Sequence, residues 1–125
     1  MKRMLAMALG SLLALSAFSI APAAASPDVT RRGSCSDGAR WKLELTDHGR
    51  RIEVDLEVHR SPVGDRWGVR LLHDGDVFFR GTKTADDSGE FSVHQRVRDR
   101  SGTDRLTARA KDRATGEVCG GTASI

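Results

Sequence analysis

Histidine, serine and cysteine are the residue types of this chain that could carry metal binding or catalysis. The four histidines are His48, His59, His73 and His94. They fall on different predicted strands and loops at no spacing typical of metal ligands, so we expect solvated histidines and no metal site. Ser92 and His94 share a strand face, but no strained nucleophile turn or oxyanion hole is predicted around them. We therefore expect no catalytic residues, no cofactor and no enzyme activity.

The two cysteines, Cys35 and Cys119, point to a structural role. Neither lies in a CxxC motif or near a histidine, which argues against a metal site or a reactive thiol pair. In the oxidising compartment that an exported protein meets, two thiols most economically form one disulfide. Closing so long a loop removes on the order of 4–5 kcal/mol of unfolded-chain entropy in the simple chain model, a large share of a small domain's stability.

Two acidic loops, residues 74–76 and 86–90, could hold Ca²⁺, because clustered carboxylates suit hard cations. Neither follows the twelve-residue calcium-loop pattern, and Asp and Gly are also the residues that tight turns require. We therefore expect turns in both loops, and the same for Asp99 and Asp104.

The elements that must position these residues are β-strands. From Arg40 onward, apolar and polar residues alternate with period two between clusters of Gly, Asp and Pro, and no segment of helical period reaches three turns. About seven short strands in this pattern predict an all-β, antiparallel immunoglobulin-like β-sandwich, with a small β-barrel as the alternative. Trp41 and Trp67 take inward positions and are predicted core residues.

The outward positions of these strands carry an acidic stripe and a set of arginines. If the second strand pairs with the fifth, as in an immunoglobulin-like order, the acidic stripe faces the arginines and the histidine of the fifth strand. The basic residues of the sixth strand then lie on the other sheet, near Glu117. If the basic residues clustered, they would attract anionic polymers such as teichoic acids. The charged residues in question are Glu53, Asp55, Glu57, Arg96, Arg98, Arg105, Arg109 and Lys111.

The hairpin around residues 74–75 supplies a candidate binding surface. Whatever register the turn sets, parity leaves an apolar residue facing outward, and the simplest arrangement exposes Leu72 and Phe78 together. An exposed apolar pair can mark a contact site. Packing under a loop, or apolar surface without a partner, is the alternative.

The start of the chain predicts export. Lys2 and Arg3 precede an apolar run over residues 4–20 and the small residues 23–25, the signature of a signal peptide cleaved after Ala25. Removal of the signal leaves 18 basic and 17 acidic residues and a formal charge of +1, which does not favour a nucleic-acid partner.

Three segments follow from that cleavage: a signal peptide (1–25), a flexible leader (26–34) and a β-sandwich domain (35–125). No apolar stretch after the signal is long enough to span a bilayer. The predicted localisation is secreted, or extracellular.

Short motifs spread over residues 35–123 resemble those of a group of small secreted actinobacterial proteins. The motifs are Cys35-Ser36-x-Gly38, Trp41-Lys42-Leu43, Arg51-Ile52-Glu53-Val54, Trp67, Leu72-His73-Asp74-Gly75, Arg80-Gly81-Thr82, Ser88-Gly89-x-Phe91-x-Val93, Gly102-Thr103-Asp104-Arg105 and Thr115-Gly116-Glu117-x-Cys119. The resemblance implies an exported single-disulfide β-domain. Because the function of that group is uncharacterised, the resemblance implies no catalytic residues.

Three classes of function remain open for such a domain. The favoured one is a non-catalytic binding module at or outside the cell envelope, with a protein or an envelope polymer as its partner, because β-sandwiches commonly serve as scaffolds. A secreted inhibitor or small hydrolase is the second; an inhibitor would use a rigid loop, residues 61–65 or 86–89. A structural matrix component is the third.

Overall fold

The computed structural model describes residues 17–20 and 28–125, and the chain folds into eight β-strands from residue 28 onward. The strands are β1 (Asp28–Ser34), β2 (Arg40–Asp47), β3 (Arg51–His59), β4 (Arg66–His73), β5 (Asp76–Thr84), β6 (Phe91–Arg98), β7 (Arg105–Asp112) and β8 (Val118–Ser124). The all-β prediction is confirmed, with eight strands instead of about seven. The described ranges contain no helix long and apolar enough to cross a membrane. The predicted signal peptide lies almost wholly outside the described residues and stays a prediction.

The strands form two antiparallel sheets. The first sheet has the order β1-β2-β3-β6, and the second has the order β5-β4-β7-β8. The pairing of β3 with β6 is the one that the acidic stripe predicts, and together with the pairing of β4 with β7 it gives an immunoglobulin-like order. The two sheets do not close on one another, so the β-barrel alternative is wrong.

The core lies between the sheets and is built from the inward residues of each alternating strand. Trp67 is fully buried, and its Nε1–H donates to the Ser61 hydroxyl over 2.9 Å, so the indole nitrogen keeps a partner. Trp41 is half-buried at the margin between β1 and β8. A Cβ on Gly121 would stand 2.2 Å from its ring, and one on Gly33 would stand 2.7 Å from it. Both tryptophans therefore pack inward, as predicted, and two glycines make room for Trp41.

The predicted disulfide is present and links the two sheets. Cys35 directly follows β1, Cys119 belongs to β8, and their Cα atoms are 4.4 Å apart. Residues 28–34, predicted as a flexible leader, form β1 and pair with β2 along their whole length. The sequence hides this strand because Val29 is its one large apolar residue. Its order comes from backbone hydrogen bonds to β2 and from the adjoining covalent link.

The hairpin of β4 and β5 contains a β-bulge that changes which side chains face outward. Leu71 pairs with Phe79 and Leu72 pairs with Val77, which leaves Phe78 as the extra residue. Phe78 is half-buried against the core, with its ring edge-on to His73 at a centroid distance of 6.4 Å. The expected joint exposure of Leu72 and Phe78 is therefore wrong, because parity does not carry across a bulge.

Candidate functional site

The outward surface of the second sheet carries only basic charge. Its charged residues, all exposed, are Arg66, Arg70, Arg80, Arg105, Arg109 and Lys111, and we call this surface the basic face. The acidic residues of these four strands are Asp76 and Asp112, which lie in register with the inward-facing His73 and Trp67. Among the described residues, no acidic side chain shares the outward positions of this sheet.

Three arginines of the basic face stand side by side across three strands. Arg70 of β4 is directly opposite Arg80 of β5 on one side and Arg109 of β7 on the other. We call them the arginine row; neighbouring strands place its members about 4.8 Å apart at the backbone. Within residues 28–125 no carboxylate lies within 4.0 Å of any of the three. Like charges directly opposite one another destabilise a sheet, so folding alone does not favour this arrangement.

A shallow hollow adjoins the arginine row. It has a volume of about 480 Å³ and lies over Gly68, with Lys111 and Arg113 among its lining residues. Gly68 pairs with Lys111 in register, and the Arg113 guanidinium lies 3.6 Å from the point where a Cβ on Gly68 would stand. Because Gly68 has no side chain, two cationic groups border an open stretch of backbone.

The outward surface of the first sheet, which we call the paired face, has the opposite character. Glu53 contacts Arg96 at 3.1 Å, and Glu57 contacts Lys42 at 2.8 Å. His94 hydrogen-bonds Asp55 directly across the β3–β6 ladder. The predicted contact of the acidic stripe with the fifth predicted strand is confirmed at Glu53 and Asp55, whereas Glu57 contacts Lys42 of β2 and stands opposite Ser92.

These contacts shift the ionisation of the groups that make them. The hydrogen bond from His48 lowers the pKa of Glu53, and the hydrogen bond from Lys42 lowers the pKa of Glu57. The same bond to Glu57 raises the pKa of Lys42. Each shift favours the charged form, so these three groups are charged and compensated at neutral pH.

Arg98 departs from the predicted pairing, because it lies opposite Arg51 and not opposite an acid. These two arginines line an open cleft of about 660 Å³ together with Arg50, Asp99 and Arg100. The cleft also includes the carboxyl group of Asp99, and Arg100 contacts Asp74 at 3.4 Å. It is a second cationic region of the described surface.

His73 is buried, which corrects the expectation of solvated histidines. Its Nε2 hydrogen-bonds Asp104 at 2.5 Å and lies 3.5 Å from Asp74. Burial alone would raise the pKa of Asp104, but hydrogen bonds from His73 and from the Arg100 N–H outweigh burial and lower it. A hydrogen bond to Asp104 raises the pKa of Asp99.

One ligand atom from each of His73, Asp74 and Asp104 lies within 4.8 Å of the others, a spacing that a metal ion could use. Hydrogen bonds already engage all three side chains, however. Asp74 accepts the Arg105 N–H at 2.8 Å through its other oxygen. We interpret the cluster as a buried hydrogen-bond network that fixes the end of the second sheet.

The acidic loops behave mainly as turns, as predicted. Asp86 accepts the backbone N–H groups of Ser88 and Glu90 at 2.9 and 3.0 Å. The loop over residues 61–65 lies against this one, since the Ser61 N–H donates to the Gly89 carbonyl over 2.9 Å. The two candidate inhibitor loops therefore brace one another.

The predicted charged residues lie on two different sheets, and the structure adds two arginines that the prediction did not include. Arg105 and Arg109 lie on the second sheet, as predicted, but Glu117 is buried and accepts the Ala39 N–H instead of an arginine. Arg70 and Arg80 escaped sequence reasoning, although their outward parity was readable. What the sequence does not show is the register that aligns β4, β5 and β7.

In comparisons with known proteins, no family model, no curated protein and no solved structure matches this chain.

Proposed function

We propose that this protein is an exported, non-catalytic binding module that acts at or outside the cell envelope and engages an anionic partner through its basic face. The observation that carries the proposal is the outward surface of the second sheet, where six basic side chains meet no acidic one among the described residues. The disulfide is compatible with an oxidising compartment, and the sequence predicts a signal peptide.

Charge distribution supports an extended anionic partner. Six exposed cations on one side of a small sandwich sum to a positive potential that draws anions to that side. The other side carries compensated pairs, such as Glu53 with Arg96, and two arginines that form no ion pair within the described residues, Arg51 and Arg98, lie together at one end of it. A polymer with repeated negative groups could contact several cations of the basic face at once.

A binding role also fits the state of the groups that could do chemistry. The side chains of His73 and Asp104 are 5% and 2% exposed, which leaves a substrate little access to them. His94 is accessible and contacts Asp55 through Nδ1, as a catalytic histidine contacts its orienting acid. Ser92 lies two residues from His94 on a flat strand and stands opposite Glu57, which is poor geometry for nucleophilic attack.

Co-sedimentation of the purified, disulfide-bonded protein with insoluble bacterial cell wall tests the proposal. We expect binding at low salt, progressive loss as salt rises, and loss in the double variant Arg70→Glu/Arg109→Glu. The matched control is Arg51→Glu/Arg98→Glu, which reverses two neighbouring arginines of the first sheet and should bind as the wild type does. Equal loss in both variants, or no binding by the wild type, would contradict the proposal.

A further inference from the structure

We infer that the basic face binds a linear phosphodiester polymer without bases, such as a polyol phosphate, with one phosphate on the arginine row and the next in the hollow over Gly68. The inference rests on the proposed function and names the chemistry of the partner. The class is defined by repeated phosphate groups joined by short, uncharged spacers.

The arginine row supplies the first phosphate position. Arg70 is flanked in register by Arg80 and Arg109, and all three side chains are exposed. A phosphate between neighbouring guanidinium groups would accept charge-assisted hydrogen bonds from more than one of them. The bound anion would also relieve the repulsion among three cations that the fold holds in line.

The hollow supplies the second position. Gly68 precedes Arg70 by two residues on β4, so the two positions face the same way about 6.8 Å apart. Lys111 and Arg113 border this hollow, and its volume of about 480 Å³ leaves room for a tetrahedral group with two ester substituents.

The acids nearest to these positions are buried. Asp112 lines the floor of the hollow but is fully buried; its Oδ1 accepts the N–H groups of Ala114 and Thr115, and its Oδ2 has no hydrogen-bond partner among the described residues. Glu117 is buried and accepts the Ala39 N–H. An approaching anion therefore meets no exposed carboxylate on this surface, within the part of the chain that the structure describes.

The same face argues against bases on the polymer. Proteins that hold single-stranded nucleic acids stack the bases on exposed aromatic rings. Trp67, the one tryptophan of the second sheet, is fully buried, and Phe79 points toward the core. The outward positions described here offer cations, threonines, glycines and the aliphatic Leu72, Val77 and Val118, but no aromatic ring, so phosphate contacts would carry the binding.

Titration of the protein with a labelled poly(glycerol phosphate) fragment tests the inference, with fluorescence anisotropy read at several salt concentrations. We expect Arg70→Gln/Arg109→Gln to weaken binding roughly tenfold or more. The slope of log affinity against log salt should fall by about 0.7, since the one phosphate held by the arginine row is no longer neutralised. The matched control Arg51→Gln/Arg98→Gln should keep the wild-type affinity and slope.

The variant Gly68→Thr tests the hollow separately. Gly68 is not among the glycines with positive φ, so a β-branched residue suits its strand position. The added Cβ would stand in van der Waals contact with the Arg113 guanidinium, 3.6 Å away, and the rest of the side chain would occupy the hollow. We expect a several-fold loss of affinity for the polymer with an unchanged melting temperature. If the variant fails to fold, Lys111→Gln removes one border of the hollow without adding bulk.

Two competing probes decide the class of ligand. Polyglutamate of equal charge should bind at least about tenfold more weakly than poly(glycerol phosphate), and so should a single-stranded oligonucleotide. Equal binding of polyglutamate, or tighter binding of the oligonucleotide, would overturn the phosphodiester assignment and leave an anionic partner standing. Binding to cell wall without binding to poly(glycerol phosphate) would also overturn this inference alone. Failure to bind cell wall and every probe would remove the proposed function as well.

Discussion

The two outer faces of this sandwich use charge in opposite ways. On the paired face, Glu53 meets Arg96 and Glu57 meets Lys42, so opposite charges meet across most of the strands, and at one end an arginine, Arg51, faces another, Arg98. On the basic face, Arg70 meets an arginine on both sides. Both faces belong to the same fold and have the same antiparallel geometry. The fold therefore does not dictate how charges pair on its surface. The arginine row of the basic face needs an explanation other than folding.

The largest expected effect is a loss of folding stability that affects both faces together. The Cys35–Cys119 bond spans a sequence separation of 84 residues and ties β1 of the first sheet to β8 of the second. Replacing both cysteines with serine should lower the free energy of unfolding by about 4–5 kcal/mol, because the unfolded chain regains loop entropy. Urea denaturation with and without the bond measures the loss. A loss below 1 kcal/mol would show that the two sheets hold together without the bond.

A smaller effect on Tm is expected when an arginine is replaced by glutamate, and its sign should differ between the two faces. Arg70→Glu converts two repulsive cross-strand pairs into attractive ones and should raise Tm by about 2–5 °C. Arg96→Glu places a second carboxylate beside Glu53 and should lower Tm. Thermal denaturation of both variants at low salt measures the two Tm shifts and shows whether they have opposite signs. Shifts in the same direction would mean that the arginine row does not destabilise the sheet.

The smallest effect is the response to acid, which should come from one face only. The pKa values of Glu53 and Glu57 are lowered from 4.5, so these groups stabilise the fold above pH 4.5 and lose their contribution as the pH falls below 4.5 through their lowered pKa values. The arginines of the basic face stay charged throughout. In urea titrations from about pH 6 to pH 3, the double variant Glu53→Gln/Glu57→Gln should lose less stability than the wild type. If the free energy of unfolding falls with pH equally in the variant and the wild type, the two carboxylates do not contribute to the pH dependence of stability.

Sequence reasoning captured what depends on alternation. Period two predicts the sandwich, and the acidic stripe predicts the β3–β6 pairing that the contact of Glu53 with Arg96 confirms. Alternation fails where the backbone departs from it. A bulge turns Phe78 toward the core, and β1 forms without an apolar repeat.

The candidate site depended on information of another kind. Outward parity identifies Arg70 and Arg80 one at a time, but their alignment with Arg109 depends on the register of three strands. Likewise His73 and Asp104 are 31 residues apart in sequence, and only the folded chain brings them into contact. A single sequence does not show how strands that are distant along the chain align with one another.

The position of the disulfide determines how the domain responds to mechanical force. If the domain were pulled at residue 28 and at its carboxyl end, only residues 28–34 and 120–125 lie outside the covalent loop and could be drawn out. Beyond that point the sulfur–sulfur bond would carry the load. The strands β2 to β7, and with them the whole arginine row, would be shielded from extension. A domain attached to a surface in flowing medium would thus keep its basic face intact under tension.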